Sequence, residues 1–151
     1  MTAFVLIVED DTNAREGLVD VLGYEGILAR GAATADEALA VAFETPPAAV
    51  VTDIQLPETS GFDLAEMLRH REETRHVPVV GLTGHWSPEI SLRGARAGMV
   101  AILMKPCLPA HLVGDLRRVL GDRSAAPLPV TRFPPARSER RESSLNEKRA
   151  G

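Results

Sequence analysis

The acids Glu9, Asp10 and Asp11, the solitary acid Asp53, the hydroxyl of Thr83 and the amine of Lys105 are the side chains best spaced to do chemistry together. Each group ends an apolar run: "FVLIV" leads to Glu9, "AAVVT" to Asp53, "VPVVGL" to Thr83 and "VAILM" to Lys105. In the stretch "VVTDIQLPETSG" the run stops at one carboxylate. Such an acid is a helix or turn cap, a metal ligand or a nucleophile. Clustering bears on the choice. Two carboxylates about 4 Å apart repel by roughly 4 kcal/mol at an effective dielectric near 20, so gathered acids want a cation. Hard carboxylate oxygens select Mg²⁺ or a similar ion.

Each group also has a plainer reading. Asp53 alone would most simply cap a turn, and Glu9 to Asp11 could favour the dipole of a following helix. Thr83 could be an ordinary strand end, and Lys105 a surface residue with a buried stem. Four such coincidences at four strand ends are harder to accept than one site.

The elements that would position these groups follow from hydrophobic spacing. Five short apolar runs, at 4–8, 26–29, 48–52, 77–82 and 100–104, are mostly unbroken, as in parallel strands covered on both faces. Between them, apolar residues recur three or four apart: Leu18, Val21 and Leu22; Ala35, Leu39, Ala42 and Phe43; Phe62, Ala65 and Leu68. Leu112, Leu116, Val119 and Leu120 close the series. These stripes predict helices packed on a sheet. Thr34 with Glu37 three residues on predicts a capping box, Ser87-Pro88 a helix start, and Gly98 and Gly121 helix ends. The expected fold is an open parallel α/β sheet of (βα)5 pattern, with helices on both faces. In such a sheet the listed strand ends share one edge, where ligands bind.

Composition sets further bounds. The 151 residues are 44% hydrophobic and 25% charged, suited to one soluble domain with a core. A single cysteine, Cys107, excludes an internal disulfide and fits a reducing cytoplasm. The six-residue run "AFVLIV" suits neither a signal peptide nor a membrane span. Residues 1–121 hold 10 Lys and Arg against 17 Asp and Glu, and residues 122–151 hold 7 against 4. The net charges of about −7 and +3 argue against nucleic-acid binding by the first part. From Ser124 onward, Pro, Ser, Arg and Glu dominate without apolar periodicity, so 122–151 is expected to be a disordered tail or linker.

Together, "VLIVEDD", "VVTDIQLPETSG", "VVGLTG" and "AILMKP" resemble the receiver domain of two-component response regulators, over about residues 3–121. The resemblance implies a flavodoxin-like sheet of order 2-1-3-4-5, in a stand-alone regulator or in part of a longer one. It implies that Asp53 accepts a phosphoryl group from a histidine kinase or histidine phosphotransfer protein. Mg²⁺ would be held by Asp10, Asp53 and the backbone carbonyl of Gln55, with Glu9 acting through water. Lys105 would pair with the phosphoryl oxygens across a Lys-Pro bond that is typically cis in the family, and Thr83 would donate its hydroxyl to them. Gly84 would leave the group open, while Gln55 and His85 would line it. The implied partners are the phosphodonor, a downstream protein target and, weakly, a second copy of the chain. No membrane is implied.

Two positions depart from the family pattern. Ile102 stands where the resemblance implies an aromatic ring that swings inward, and Cys107 follows Lys-Pro where Phe is common. Two other functions compete: a phosphorylation-independent interaction module on the same fold, and a phosphatase of the haloacid dehalogenase type. The phosphatase would need a second Asp where Gln55 stands, and is set aside.

Overall fold

The computed structural model describes residues 3–105 and 109–121. The expectations for the tail at 122–151, for the Lys105–Pro106 bond and for Cys107 lie outside them. Four apolar runs become wholly or mostly buried strands: β1 (Val5–Val8), β3 (Ala49–Asp53), β6 (Val79–Thr83) and β7 (Ala101–Met104). With β2 (Ala29–Ala32) they form one parallel sheet in the order β2-β1-β3-β6-β7. This is the 2-1-3-4-5 order once the two short strands of a hairpin are counted separately. Those strands, β4 (Gln55–Leu56) and β5 (Thr59–Ser60), pair antiparallel just after Asp53.

Among the described residues five helices cover the sheet: α1 (Thr12–Tyr24), α2 (Ala35–Glu44), α3 (Gly61–Arg69), α4 (Pro88–Ala97) and α5 (Pro109–Val119). Successive strand residues point to opposite faces. Leu6 and Val8 therefore join the core under α2, α3 and α4, with Ala38, Leu64 and Leu68. Val5 and Ile7 join the other core with Leu22 of α1 and Leu112 and Leu116 of α5. Burying each such Leu contributes about 1.5–3 kcal/mol, so the cores rather than the strand-end groups hold the fold.

The helix signals act through hydrogen bonds. Thr34 Oγ1 accepts from the Glu37 amide at 3.1 Å, and the Glu37 carboxylate accepts from the Ala33 amide at 2.7 Å. Ser87 Oγ accepts from the Ile90 amide at 3.1 Å, and Gly98 closes α4 with φ +91°. One boundary moves. The second strand covers 29–32 rather than 26–29, because Gly26 turns with φ +83° and the Ile27 amide still bonds the α1 carbonyl of Leu22. Pairing with β1 begins only at Leu28, whose carbonyl accepts from the Val5 amide.

The hairpin turn carries a small strain. Glu58 has φ +64°, left-handed backbone that costs a side-chain-bearing residue about 1 kcal/mol. Asn tolerates that conformation better. Glu58→Asn should raise unfolding stability by about 0.5 kcal/mol in a urea titration; a fall in the midpoint would contradict this reading of the turn.

Candidate phosphoacceptor site

The parallel sheet brings the four expected groups to one edge. Glu9 follows β1 and is tied to β2 by its amide, which donates to the Ala32 carbonyl at 3.0 Å. Asp53 ends β3, Thr83 ends β6, and the Lys105 amide donates to the Thr83 carbonyl at 2.8 Å. All four line a cleft of about 1060 Å³, together with Asp10, Gln55 and His85.

Charge is concentrated at its floor. Lys105 Nζ lies 2.7 Å from Asp53 Oδ1 and 3.2 Å from Glu9 Oε1, so one ammonium serves two buried carboxylates. Glu9 Oε2 also accepts from the Asp11 amide at 3.0 Å. Asp53 Oδ1 is shut off from solvent and, despite its close ion pair, has no aligned hydrogen bond. Burial, with Glu9 adding to it, pushes the Asp53 pKa up to about 6, although Lys105 works against the rise. Burial also penalises the Glu9 charge, but the Asp11 amide, Asp53 and Lys105 outweigh it and hold Glu9 below the usual range. For Lys105 burial is again the largest influence, yet Asp53 and then Glu9 override it and raise its pKa.

This arrangement has a pH consequence. Between about pH 4 and pH 6, unfolded Asp53 has lost its proton while the folded residue keeps it. The folded state then binds more protons, so the Asp53 contribution makes stability fall as pH rises through that window. Without Mg²⁺, Asp53→Asn should be about 1–2 kcal/mol more stable than wild type at pH 7, with the gap closing below pH 4. Denaturant titrations across pH test this; a gap that widens on acidification would contradict it.

The three N-terminal acids divide their work. Asp11 caps α1, accepting from the Ala14 amide at 2.8 Å, while buried Glu9 and exposed Asp10 face the cleft. Glu9, Asp10 and Asp53 each offer an oxygen within 4.8 Å of the others. An all-oxygen set containing a buried, unaligned carboxylate oxygen fits a hard divalent cation. Gln55 lines the same cleft two residues beyond Asp53.

Thr83 is turned toward its own loop. Its hydroxyl donates to the His85 carbonyl at 3.0 Å and accepts from the His85 amide at 3.2 Å. Gly84 leaves open space where a Cβ would stand. Ile102 sits deep in the core under α4, 1% exposed, and pairs in register with Gly81.

Sequence spacing did not point to several supporting residues. Arg15 of α1 donates to the Glu9 carbonyl at 2.8 Å, and its stem fills the space left by the absent side chain of Gly31. The Thr52 hydroxyl donates to the Asp53 carbonyl at 2.9 Å, and Gly61 lies against the same oxygen. Arg93 lines the cleft from α4. The Arg15, Gly31 and Gly61 contacts join different elements or depend on a missing side chain, so no local motif reveals them.

A family model described as "Response regulator receiver domain" matches residues 5–117. The chain belongs to the response regulator receiver family. It is 35% identical over 125 residues to the polar-differentiation response regulator DivK of Brucella ovis, covering 81% of this chain and 99% of that relative. Among solved structures it is similar to Vibrio cholerae chemotaxis protein CheY4, with a TM-score of 0.75 and 30% identity over 79% of this chain and 99% of that one. A CheY-like receiver domain protein from Methanospirillum hungatei matches with a TM-score of 0.73 and 30% identity, covering 82% and 98%. The receiver therefore has a flavodoxin-like fold and works in two-component signalling. No helix among the described residues is long and apolar enough to cross a membrane.

Proposed function

We propose that this receiver takes a phosphoryl group onto Asp53 from a phosphohistidine of a histidine kinase or histidine phosphotransfer protein, and signals through contacts with a downstream protein. The observation that carries the reading is the buried Asp53 carboxylate in the cleft, 2.7 Å from the Lys105 ammonium and grouped with Glu9 and Asp10. A carboxylate can act as the nucleophile toward phosphorus, and the lysine beside it is placed to meet the charge that arrives.

In the transfer, an Asp53 carboxylate oxygen forms a bond to phosphorus as the phosphorus–nitrogen bond to the donor imidazole breaks. The departing ring nitrogen takes up a proton, and Asp53 becomes an acyl phosphate. Lys105 pairs with the phosphoryl oxygens, and Thr83 gives up its bond to the His85 carbonyl to donate to them. That exchange costs little, since a neutral hydrogen bond is worth about 0.5–1.5 kcal/mol net and one to a charged group about 1.5–3. Mg²⁺ would be held by Asp10, Asp53 and the Gln55 backbone carbonyl, with Glu9 acting through water, and would neutralise phosphoryl charge. The protein acts on no external substrate beyond this transfer and the later hydrolysis of its own acyl phosphate.

The acidic first 121 residues form the phosphoacceptor domain, and residues 122–151 serve as a tail or linker. A cytoplasmic location agrees with the single cysteine and with a donor charged by ATP. Incubation with acetyl phosphate and Mg²⁺ should add the mass of one phosphoryl group, removable by hydroxylamine. No mass gain with acetyl phosphate, phosphoramidate or any phosphorylated histidine kinase would overturn the proposal.

A further inference from the structure

Arg93 is the one Arg or Lys besides Lys105 among the cleft-lining residues. Its guanidinium lies 4.4 Å over the Phe62 ring, and no carboxylate approaches it within ion-pair distance among the described residues. Lys105 is already shared between Asp53 and Glu9, whereas the exposed Arg93 rests over the buried Phe62 ring with no ion pair among the described residues. A cation–π contact on one ring face is weaker than a charge-assisted fork from Arg to phosphoryl oxygens. A phosphoryl group adds about −1.5 to −2 of charge, so it competes well for this arginine.

The ends of α4 are held unequally. Near its C-terminus, the Arg69 side chain of α3 donates to the Arg96 carbonyl at 3.2 Å and fills the space where a Gly98 side chain would lie. Ile90 in the first turn, partly buried against the core, and Arg93, the sixth of the ten residues of α4, face the cleft, and Gly84 leaves open space beside Thr83. A pull on Arg93 would therefore tilt the cleft-facing side of α4 toward Asp53 against the end held by Arg69. Ile102 offers no alternative, being fully packed in the core and restricted at χ1.

We propose that Arg93 leaves the Phe62 ring to bind the phosphoryl group on Asp53, and so carries the phosphorylation signal into α4. This rests on Asp53 being the phosphoacceptor. Arg93 is a positioning and signalling residue here, with Phe62 as its resting place.

The test uses beryllofluoride with Mg²⁺ as the acyl-phosphate mimic, read by amide NMR shifts and by fluorescence of Trp86, the only tryptophan, in the loop before α4. Wild type should show large shifts across 83–97. Arg93→Met should bind the mimic about 10-fold more weakly, lose the shifts at 88–97 and keep those at 83–85, as expected for loss of one charge-assisted contact. Arg93→Lys should recover part of the affinity, because it restores the charge without the fork. Ile102→Val should resemble wild type throughout. If Arg93→Met kept the α4 shifts, at either affinity, the inference would be wrong while the Asp53 reading stood. If wild type itself failed to respond, the Asp53 reading would fall and this inference with it.

Discussion

Asp53→Asn protein incubated with acetyl phosphate and Mg²⁺ should take up no phosphoryl group, while wild type should become labelled. The substitution keeps the side chain's size and leaves the cleft lined as before, but an amide oxygen is a far poorer nucleophile than a carboxylate. In the transfer from acetyl phosphate, the Asp53 oxygen bonds to phosphorus as acetate leaves with the bonding pair, so no proton is needed. Nothing else in the cleft replaces that oxygen. Glu9 is buried and committed to Lys105 and the Asp11 amide, and Asp10 sits on the exposed rim. The variant also separates chemistry from folding, because removing a carboxylate whose pKa is raised by burial stabilises the metal-free domain at neutral pH. Labelling of Asp53→Asn at a tenth of the wild-type rate or more, measured by intact mass, would place the nucleophile elsewhere.

How far the sequence discloses this site depends on what each residue does. Asp53, Thr83 and Lys105 are legible because a parallel sheet aligns its strand ends, so residues far apart in the chain need only follow an apolar run to meet. Glu9 and Asp10 are legible as a pair, but the sequence does not say that Asp11 turns away to cap α1. Thr83 illustrates a different limit. Its position is fixed by β6, yet its hydroxyl is spent on the backbone of His85, a choice set by loop geometry. The second strand lay three residues beyond the expected one because an edge strand has one partner, and pairing with β1 decided where it began. The β4–β5 hairpin escaped notice because two-residue strands have no periodicity to read. The setting of Arg93 is not legible in the sequence, because the absence of an ion-pair partner among the described residues is a matter of tertiary placement.

Gly61→Ala should be the most damaging small substitution in the domain, although it lies eight residues from Asp53 and carries no chemistry. A Cβ on Gly61 would overlap the Asp53 carbonyl oxygen and crowd the Ile54 Cα, both of them backbone that no rotamer change can move. The Gly61 amide meanwhile donates to the Ile54 carbonyl at 2.6 Å, which holds the start of α3 against the end of β3. Relief requires α3 to shift outward or the Asp53 peptide to rotate. The first opens the core around Phe62, Leu64 and Leu68, and the second re-aims the Asp53 carboxylate. Overpacking against rigid surroundings costs about 1–3 kcal/mol, and the upper end applies where the obstruction is backbone. A misplacement near 1 Å can slow an oriented reaction by about 10²-fold. We expect Gly61→Ala to lose about 3 kcal/mol in urea unfolding and to phosphorylate about 10²-fold more slowly while still folded. Gly17→Ala in α1 is the matched control, since its Cβ meets no atom within 4 Å and helix propensity should raise stability by about 0.5–1 kcal/mol. If both substitutions had the same effect, the contact between Gly61 and Asp53 would have no part in holding the nucleophile.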